Sequence, residues 1–364
     1  MYKQEFNLLK KLTEAHGVSG FEEEVTNLIE KELNDTRFVI EKDALGSLIV
    51  HYQTDLTKPL ISFSAHVDEV GFVVSEITNK GFLKLKTIGG WQNYIIPSSK
   101  VIIKASNGDK FIGIIGNEAP HYANSDDYAT IFDLNNIYID IGAFSKKEVL
   151  EKGINVGNPI VPYSELEVLN DNIVVGKALD DRICATSLVL ALKKLAKNDV
   201  KCNFVAIFTT QEEVGTRGAK TSIAKVNSDI GFAIDVTDSF DTETSIQFPC
   251  GLGSGVALSF KDGGTIAHHG LFNYVLNLFN KNKIKNTYDP MDVGGTDSSR
   301  IHKNDIGIVN MTISLPVRYM HSPYTVGSLE DLVTLTNAII LLAKRLTKEE
   351  VNNIKEAKYK RIIK

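Results

Sequence analysis

The sequence predicts an α/β protein with a mixed, mostly parallel sheet flanked by helices, and with a small β-barrel-like unit inserted into it. Before about residue 68 and again after residue 164, strand-like apolar runs alternate with helix-like periodicity. This alternation is typical of a sheet covered by helices on both faces. Between residues 69 and 164 short β-rich runs dominate, as in an antiparallel barrel or sandwich. We therefore expect a larger domain formed by 1–68 and 165–364, with 69–164 inserted.

The first 68 residues predict two helices and then three strands. Apolar residues from Phe6 to Leu12 recur at helical spacing and predict the first helix. Ser19 and Glu22 have the spacing of a capping box, which predicts that a second helix begins there and continues to about Leu33. Strands are expected at 38–42, 47–52 and 60–65.

The inserted segment is predicted from short apolar runs that turn signals separate. The runs lie at 71–77, 82–88, 101–105, 111–115 and 137–141. Asn107-Gly108-Asp109 stands between two of them and predicts a hairpin. Ser145 and Glu148 form a capping pair that predicts one short helix.

After residue 164 the sequence again alternates between helix and strand patterns. Helices are expected at 181–195, 217–226, 269–280 and 329–346, and strands at 201–209, 230–235, 256–260 and 306–313. Together with the N-terminal strands, they predict one sheet with helices on both faces.

Composition excludes several classes of partner. The net charge is -5 and the pI is about 6.0, which argues against nucleic acid or an anionic membrane. No apolar run reaches membrane-spanning length, and the N-terminus lacks the apolar region of a signal peptide. The three cysteines, Cys184, Cys202 and Cys250, form no CxxC pair. A reduced, cytoplasmic protein is therefore expected.

Acidic and histidine side chains collect where the predicted strands end. They are His66 with Asp68, Asp180 with Asp181, Glu212 with Glu213, Asp235, and His321. Each has a structural alternative: a hydrogen-bonded histidine, a helix cap at the aspartate pair, a solvated strand end or a loop residue. Functional groups of open α/β sheets lie at the carboxyl ends of strands. Nitrogen and oxygen ligands together suit zinc, cobalt or manganese.

The spacing within two of these pairs has chemical meaning. Residues two apart in a strand point to the same face, so Asp68 can hydrogen-bond His66 and fix its tautomer; its alternative is a turn cap. Adjacent side chains diverge, so one carboxylate of the Glu212-Glu213 pair could bind a metal while the other acts as a general base.

Six motifs together resemble the M42 family of co-catalytic metallo-aminopeptidases, the glutamyl or TET-type group. They begin at Ala65, Lys177, Glu212, Ala233, Gly294 and Arg318 and read AHVDEVGF, KALDDR, EEVGTRGA, AIDVT, GGTD and RYMHS. They stand in the order of the family and extend over nearly the whole chain.

The resemblance implies a zinc-peptidase-like catalytic domain that holds two divalent ions, with Zn²⁺ favoured over Co²⁺ or Mn²⁺. His66 and Asp235 would bind one ion, Glu213 and His321 the other, and Asp180 would bridge them. It also implies a cis peptide bond between Asp180 and Asp181.

Two further residues would complete the catalytic set, since the resemblance makes Glu212 the general base and Asp68 the residue that orients His66. It implies short peptides as substrates. It also makes the inserted segment a dimerisation domain, through which a homo-oligomer builds towards a tetrahedral dodecamer.

Three residues are candidates for substrate binding. Thr296 and Asp297 belong to a motif that lines the pocket by resemblance, although a turn and helix cap explain them equally well. Arg318 could pair with an acidic substrate side chain. Cys184 departs from the small residue of relatives, and we expect it to be buried.

Three other functions stay open. Paired carboxylates also support glycoside hydrolysis, as in proteins labelled endoglucanases, but that chemistry leaves both histidines without a role. N-acyl amino acid deacylation is a neighbouring metal-dependent reaction. A non-catalytic protein with a relic site is less consistent with a complete set of ligands.

Overall fold

The computed structural model describes residues 2–34, 37–52, 55–116, 137–197 and 200–357. In these ranges the helices are α1 Lys3–Glu14, α2 Glu23–Glu32, α3 Lys146–Glu151, α4 Leu179–Leu195, α5 Arg217–Ile223, α6 His269–Lys281, α7 Ser298–Ile301, α8 Leu329–Arg345 and α9 Lys348–Ala357, with a 3₁₀ turn at Asn93–Ile95. None of these helices is long and apolar enough to cross a bilayer.

The strands form one large sheet, one barrel and one small sheet. They are β1 Val39–Lys42, β2 Leu48–Tyr52, β3 Leu60–His66, β4 Gly71–Ile77, β5 Leu83–Ile88, β6 Lys100–Lys104, β7 Lys110–Ile115, β8 Ile139–Asp140, β9 Pro159–Pro162, β10 Glu167–Asn170, β11 Ile173–Gly176, β12 Asn203–Thr209, β13 Ile230–Asp238, β14 Val256–Ser259, β15 Asn286–Asp289, β16 Val309–Val317 and β17 Thr325–Ser328.

The large sheet is mixed, as predicted. Its order is β1-β2-β12-β3-β13-β16-β14-β15. The central strands β12, β3, β13 and β16 are parallel, and antiparallel neighbours flank them. Alternate residues of β12 enter different cores: Phe204 and Phe208 pack with α4 and α8, whereas Val205 packs with α5 and α7. The sheet therefore buries both faces, as the continuous apolar strands indicated.

The middle of the chain forms a closed antiparallel barrel with the order β4-β5-β8-β7-β6-β9. Its interior is filled by an apolar cluster that includes Phe72, Val101 and Ile103. The predicted hairpin is confirmed, with β6 paired to β7 and Gly108 at φ +91°. The predicted cap of α3 is confirmed as well, since Ser145 accepts a hydrogen bond from the Glu148 amide.

The predicted capping box at the start of the second helix is wrong. Helix α2 begins at Glu23 with no side-chain cap. The Ser19 hydroxyl instead donates to Asp68 Oδ2 at 2.6 Å, and Glu22 Oε1 accepts the amide of Gln211 at 3.0 Å. Glu22 also accepts the amide of Gly20 at 2.7 Å, so neither side chain is left to cap the helix.

Other departures lie in short strands. Strand β15 and the small sheet β10-β11-β17 were not predicted, since their four-residue strands carry little pattern. The strand expected from 306 begins at Val309, because Ile306 lies in an exposed turn.

Candidate metal centre

Four neighbouring strands of the large sheet carry four of the five predicted ligands to one edge, and the start of a helix supplies the fifth. His66 ends β3, and Asp235 lies in β13 next to it. Glu213 follows β12, whose last residue Thr209 pairs with His66. His321 follows β16, and Asp180 opens α4. Parallel strands end at the same edge of a sheet, which explains how residues so distant in sequence meet.

Asp180 lies at the centre of the cluster and faces both histidines. Its Oδ1 is 3.0 Å from His66 Nε2, and its Oδ2 is 3.5 Å from His321 Nε2. His66 Nε2 is also 3.8 Å from Asp235 Oδ1, and His321 Nε2 is 3.4 Å from Glu213 Oε2. Four ligands placed tetrahedrally around zinc lie about 3.3 Å from one another, so these separations suit a metal ion.

Asp181 joins the cluster, although the sequence did not single it out as a ligand. One of its oxygens lies within 4.8 Å of ligand atoms of both His66 and Asp235. Its carboxylate is buried and has no hydrogen-bond partner among the described residues. The predicted cis peptide bond between Asp180 and Asp181 is present. The adjacent aspartates at 180 and 181 were the sequence signal for this position, but a helix cap also accounted for the pair, and only Asp180 was predicted as a ligand.

The cluster contains more buried carboxyl groups than histidines, so it lacks positive charge to balance its carboxylates. Burial raises the pKa of Glu213 to about 8, and the nearby charge of Asp180 adds to this. Burial likewise raises the pKa values of Glu212, Asp235 and Asp181 well above the usual range. Burial lowers the pKa of His66, but hydrogen bonds to Asp180 and Asp68 outweigh it and raise the pKa overall. Buried carboxylates of this kind are stabilised by a cation, so the donor set fits divalent metal ions.

The histidines are oriented by their other ring nitrogens. His66 Nδ1 is 3.1 Å from the carbonyl oxygen of Asp68 and 3.6 Å from its Oδ1. His321 Nδ1 is 3.0 Å from the carbonyl oxygen of Gly90. A Cβ at position 90 would lie 3.1 Å from His321 Nδ1, so glycine leaves room for this contact. Both rings thus present Nε2 to the cluster.

Asp68 also holds the loop of the two glutamates. Its Oδ1 accepts the amide of Glu212 at 2.9 Å, and its Oδ2 accepts the amide of Glu213 at 3.1 Å. The hydroxyl of Ser19 is a third hydrogen-bond donor to the Asp68 carboxylate. Sequence reasoning missed Ser19, because its local spacing to Glu22 suggested a helix cap.

A cavity of about 560 Å³ opens beside the cluster, and His66, Asp180, Glu212, Glu213, Asp235 and His321 form part of its wall. A separate cleft of about 620 Å³, lined by residues that include Lys201 and Tyr274, contains none of the predicted site residues. The cavity at the sheet edge is therefore the one that matters for chemistry.

The three candidate substrate-binding residues are placed differently. Thr296 lines the cavity. Asp297 lies behind it, buried, and accepts a hydrogen bond from Thr209 at 2.7 Å. Arg318 forms two hydrogen bonds to Asp241, at 2.8 and 2.7 Å. This pairing argues against a contact between Arg318 and substrate, and the three binding roles stay predictions. Cys184 is buried, as expected.

Comparison with known proteins gives one consistent family. The sequence profile described as M42 glutamyl aminopeptidase matches residues 46–337, and a profile described as AMPT matches residues 3–27. A putative aminopeptidase of Acetivibrio thermocellus is 36% identical, with 94% of this chain and 98% of that protein covered. The glutamyl aminopeptidase of Lactococcus lactis subsp. cremoris is 31% identical, with 96% and 99% covered.

Solved structures agree with the sequence comparisons. The TET aminopeptidase of the marine sediment archaeon Thaumarchaeota archaeon SCGC AB-539-E09 superposes with a TM-score of 0.93 at 33% identity, covering 97% of this chain and 100% of that one. The Pyrococcus horikoshii TET1 peptidase, described as able to assemble into a tetrahedron or a large octahedral shell, gives 0.84 at 30% identity, with 94% and 100% covered.

Proposed function

The chain belongs to the M42 glutamyl aminopeptidase family and is a peptide hydrolase; we propose that it removes N-terminal residues from short peptides with two divalent metal ions. The observation that carries the proposal is the position of Asp180, whose two carboxylate oxygens face two different histidines. A carboxylate in that position can bridge two ions.

The remaining ligands divide between the two sides of Asp180. His66 and Asp235 approach each other on one side, and His321 and Glu213 on the other. Asp181 lies close enough to the first group to support it. Two bound ions supply Lewis-acid polarisation of a carbonyl and a nucleophilic water near neutral pH. Zinc fits the donor set best, with cobalt or manganese as alternatives.

Glu212 is proposed as the general base. It lines the cavity beside the ligands, and its amide is fixed by Asp68. Its neighbour Glu213 faces His321, so the two carboxylates have separate tasks. Burial raises the pKa of Glu212, which suits a group that accepts a proton from the attacking water and returns it to the leaving amine. Asp68 acts through others: it positions His66 and both glutamates.

The test combines a metal series with one variant. Metal-free enzyme is assayed on aminoacyl-p-nitroanilides with Zn²⁺, Co²⁺ or Mn²⁺ added. We expect no turnover without metal and recovery with at least one ion. Glu212→Gln should keep both ions by elemental analysis and lose turnover by about 10²–10⁴-fold, whereas Glu167→Gln, at an exposed position of β10, should match the wild type.

Three results would count against this assignment. Near wild-type turnover by Glu212→Gln would remove Glu212 from the role of base. Activity on a polysaccharide that persists in chelator would favour the glycosidase alternative, and metal-dependent activity on an N-acyl amino acid rather than a peptide would favour the deacylase alternative.

We further propose that the chain forms homo-oligomers and that the barrel is the dimerisation domain. The support is the likeness to TET peptidases, one of which is described as a tetrahedron or octahedral shell. Light scattering distinguishes a dimer from a dodecamer.

A further inference from the structure

The cavity beside the metal ligands has a wall of distinctive composition. Apart from the acids and histidines already described, it contains four apolar side chains and one further carboxylate; the rest are glycine, threonine and serine. The apolar residues are Val236, Met291, Val293 and Met320, and the carboxylate is Asp238. Among the described residues, no lysine or arginine lines this cavity.

Arg300 and Arg318, two arginines near the cavity, are occupied by other partners. Arg318 forms its two hydrogen bonds to Asp241. Arg300 donates to the hydroxyl of Thr216 at 2.8 Å and to the carbonyl oxygen of Gly215 at 3.2 Å, so it supports two wall residues from behind. Neither of these two guanidinium groups is therefore free to form the paired contact that a substrate carboxylate favours.

Asp238 adds a carboxylate to the cavity wall besides Glu212 and the metal ligands. It is the last residue of β13, three positions after Asp235, and its side chain is exposed. Since no lysine or arginine of the described residues lines the wall beside it, an acidic substrate side chain that packs against Asp238 would meet a like charge and lose water without an ammonium or guanidinium partner. An ammonium group would meet an opposite charge, and a neutral chain would contact the two methionines and two valines.

We propose that this cavity receives the side chain of the N-terminal substrate residue and selects neutral apolar or cationic side chains over acidic ones, with Asp238 as the residue that rejects acids. The inference rests on the proposed aminopeptidase function. It also departs from the glutamyl preference in the description of the family.

The experiment uses substrate pairs that differ in charge more than in size. Metal-restored enzyme is assayed on glutaminyl-, glutamyl-, methionyl- and lysyl-p-nitroanilide. Glutamine and glutamate are nearly isosteric, so their ratio isolates the carboxylate. We expect kcat/KM for the glutaminyl substrate to exceed that for the glutamyl substrate by about tenfold or more, with the methionyl and lysyl substrates cleaved well.

Asp238→Asn then assigns the effect to one residue. The variant should raise kcat/KM on the glutamyl substrate and lower it on the lysyl substrate, each measured relative to the methionyl substrate. Its metal content and circular dichroism should match the wild type, because the side chain is exposed. Asp292→Asn is the matched control, since Asp292 is exposed, pairs with Lys261 and does not line the cavity.

The possible failures are distinct. If no aminoacyl substrate is cleaved with any metal, the proposed function itself fails. If peptides are cleaved but the glutamyl substrate equals or exceeds the glutaminyl one, only the inference about the cavity is overturned. An equal loss on all substrates in Asp238→Asn would also overturn it, because Asp238 would then serve the backbone amine that all substrates share.

Discussion

The barrel and the carboxyl edge of the large sheet bury very different side chains. Among the described residues from Gly71 to Pro162, Asn158 is the one polar residue that is buried. At the sheet edge, by contrast, His66, Asp68, Glu69, Lys177, Asp180, Asp181, Arg182, Asp235 and Asp297 are all buried. Burying a charged side chain destabilises the fold unless the charge is paired or bound to metal. Buried charges are therefore concentrated at the sheet edge, where the ligands lie, and not in the barrel.

The charged edge is held together from the N-terminal segment. Arg182 donates to the carbonyl oxygens of Val67, at 2.6 Å, and of Gly17, at 3.2 Å. Lys177 forms an ion pair with Glu69 at 2.6 Å. These contacts join the turn after α1 to the loop that follows His66. We infer that substitutions at this edge change metal binding and activity, whereas substitutions inside the barrel change stability.

The largest effect is expected from Asp180→Ala, which tests the edge directly. Loss of the central carboxylate should remove bound metal and reduce activity by far more than the roughly 10–100-fold typical of a lost outer partner of a ligand. Elemental analysis and p-nitroanilide turnover measure both. Asp140→Ala, at an exposed position of barrel strand β8, should change neither. Retention of two ions by Asp180→Ala would rule out the bridging role.

A smaller effect, on stability rather than on metal binding or activity, is expected from Ile103→Ala inside the barrel. Ile103 is fully buried, and the cavity left by such a truncation costs about 2–5 kcal/mol of unfolding free energy. Urea denaturation should show this loss, while metal content and kcat at low temperature stay near wild type. Ile112 lies on the neighbouring strand with 53% of its surface exposed, so Ile112→Ala should cost less than about 0.5 kcal/mol. Equal losses would contradict the division into inner and outer faces.

The same two regions differ in how well the sequence predicts them. Short apolar runs, separated by turn signals such as Asn107-Gly108-Asp109, predicted the barrel strands, because both signals are local in the sequence. The ligand motifs predicted which residues gather at the edge. Neither signal predicts the residues that hydrogen-bond to the ligands and their loops from behind, such as Ser19 and Arg182. The bond from Ser19 to Asp68 and those of Arg182 to distant carbonyl groups join segments 49 to 170 residues apart, and no local pattern marks such partners.

Glu22 is another of these residues behind the ligands. Its substitution is expected to have a smaller effect than those of Asp180 and Ile103. It is 4% exposed, and it accepts the amides of Gly20 and Gln211. Burial, together with the nearby charge of Asp68, raises its pKa from 4.5 to about 7. A carboxyl group whose pKa is higher in the folded state binds its proton more tightly there. Its contribution is therefore fully present below about pH 4.5 and is lost as the pH rises towards 7.

Glu22→Gln keeps an acceptor oxygen but cannot ionise, so it should not suffer this loss. Relative to wild type, the unfolding free energy of the variant should rise between pH 4.5 and 7.5, by at most about 3 kcal/mol at 1.4 kcal/mol for each pH unit. Urea denaturation of chelator-treated protein across this range measures the difference. Glu23 is the adjacent, exposed glutamate, and Glu23→Gln should track the wild type at every pH. If the difference in unfolding free energy between Glu22→Gln and wild type does not change with pH, the Glu22 carboxylate is solvated or paired in solution. Glu22 would then not belong to the group of buried charges at the sheet edge.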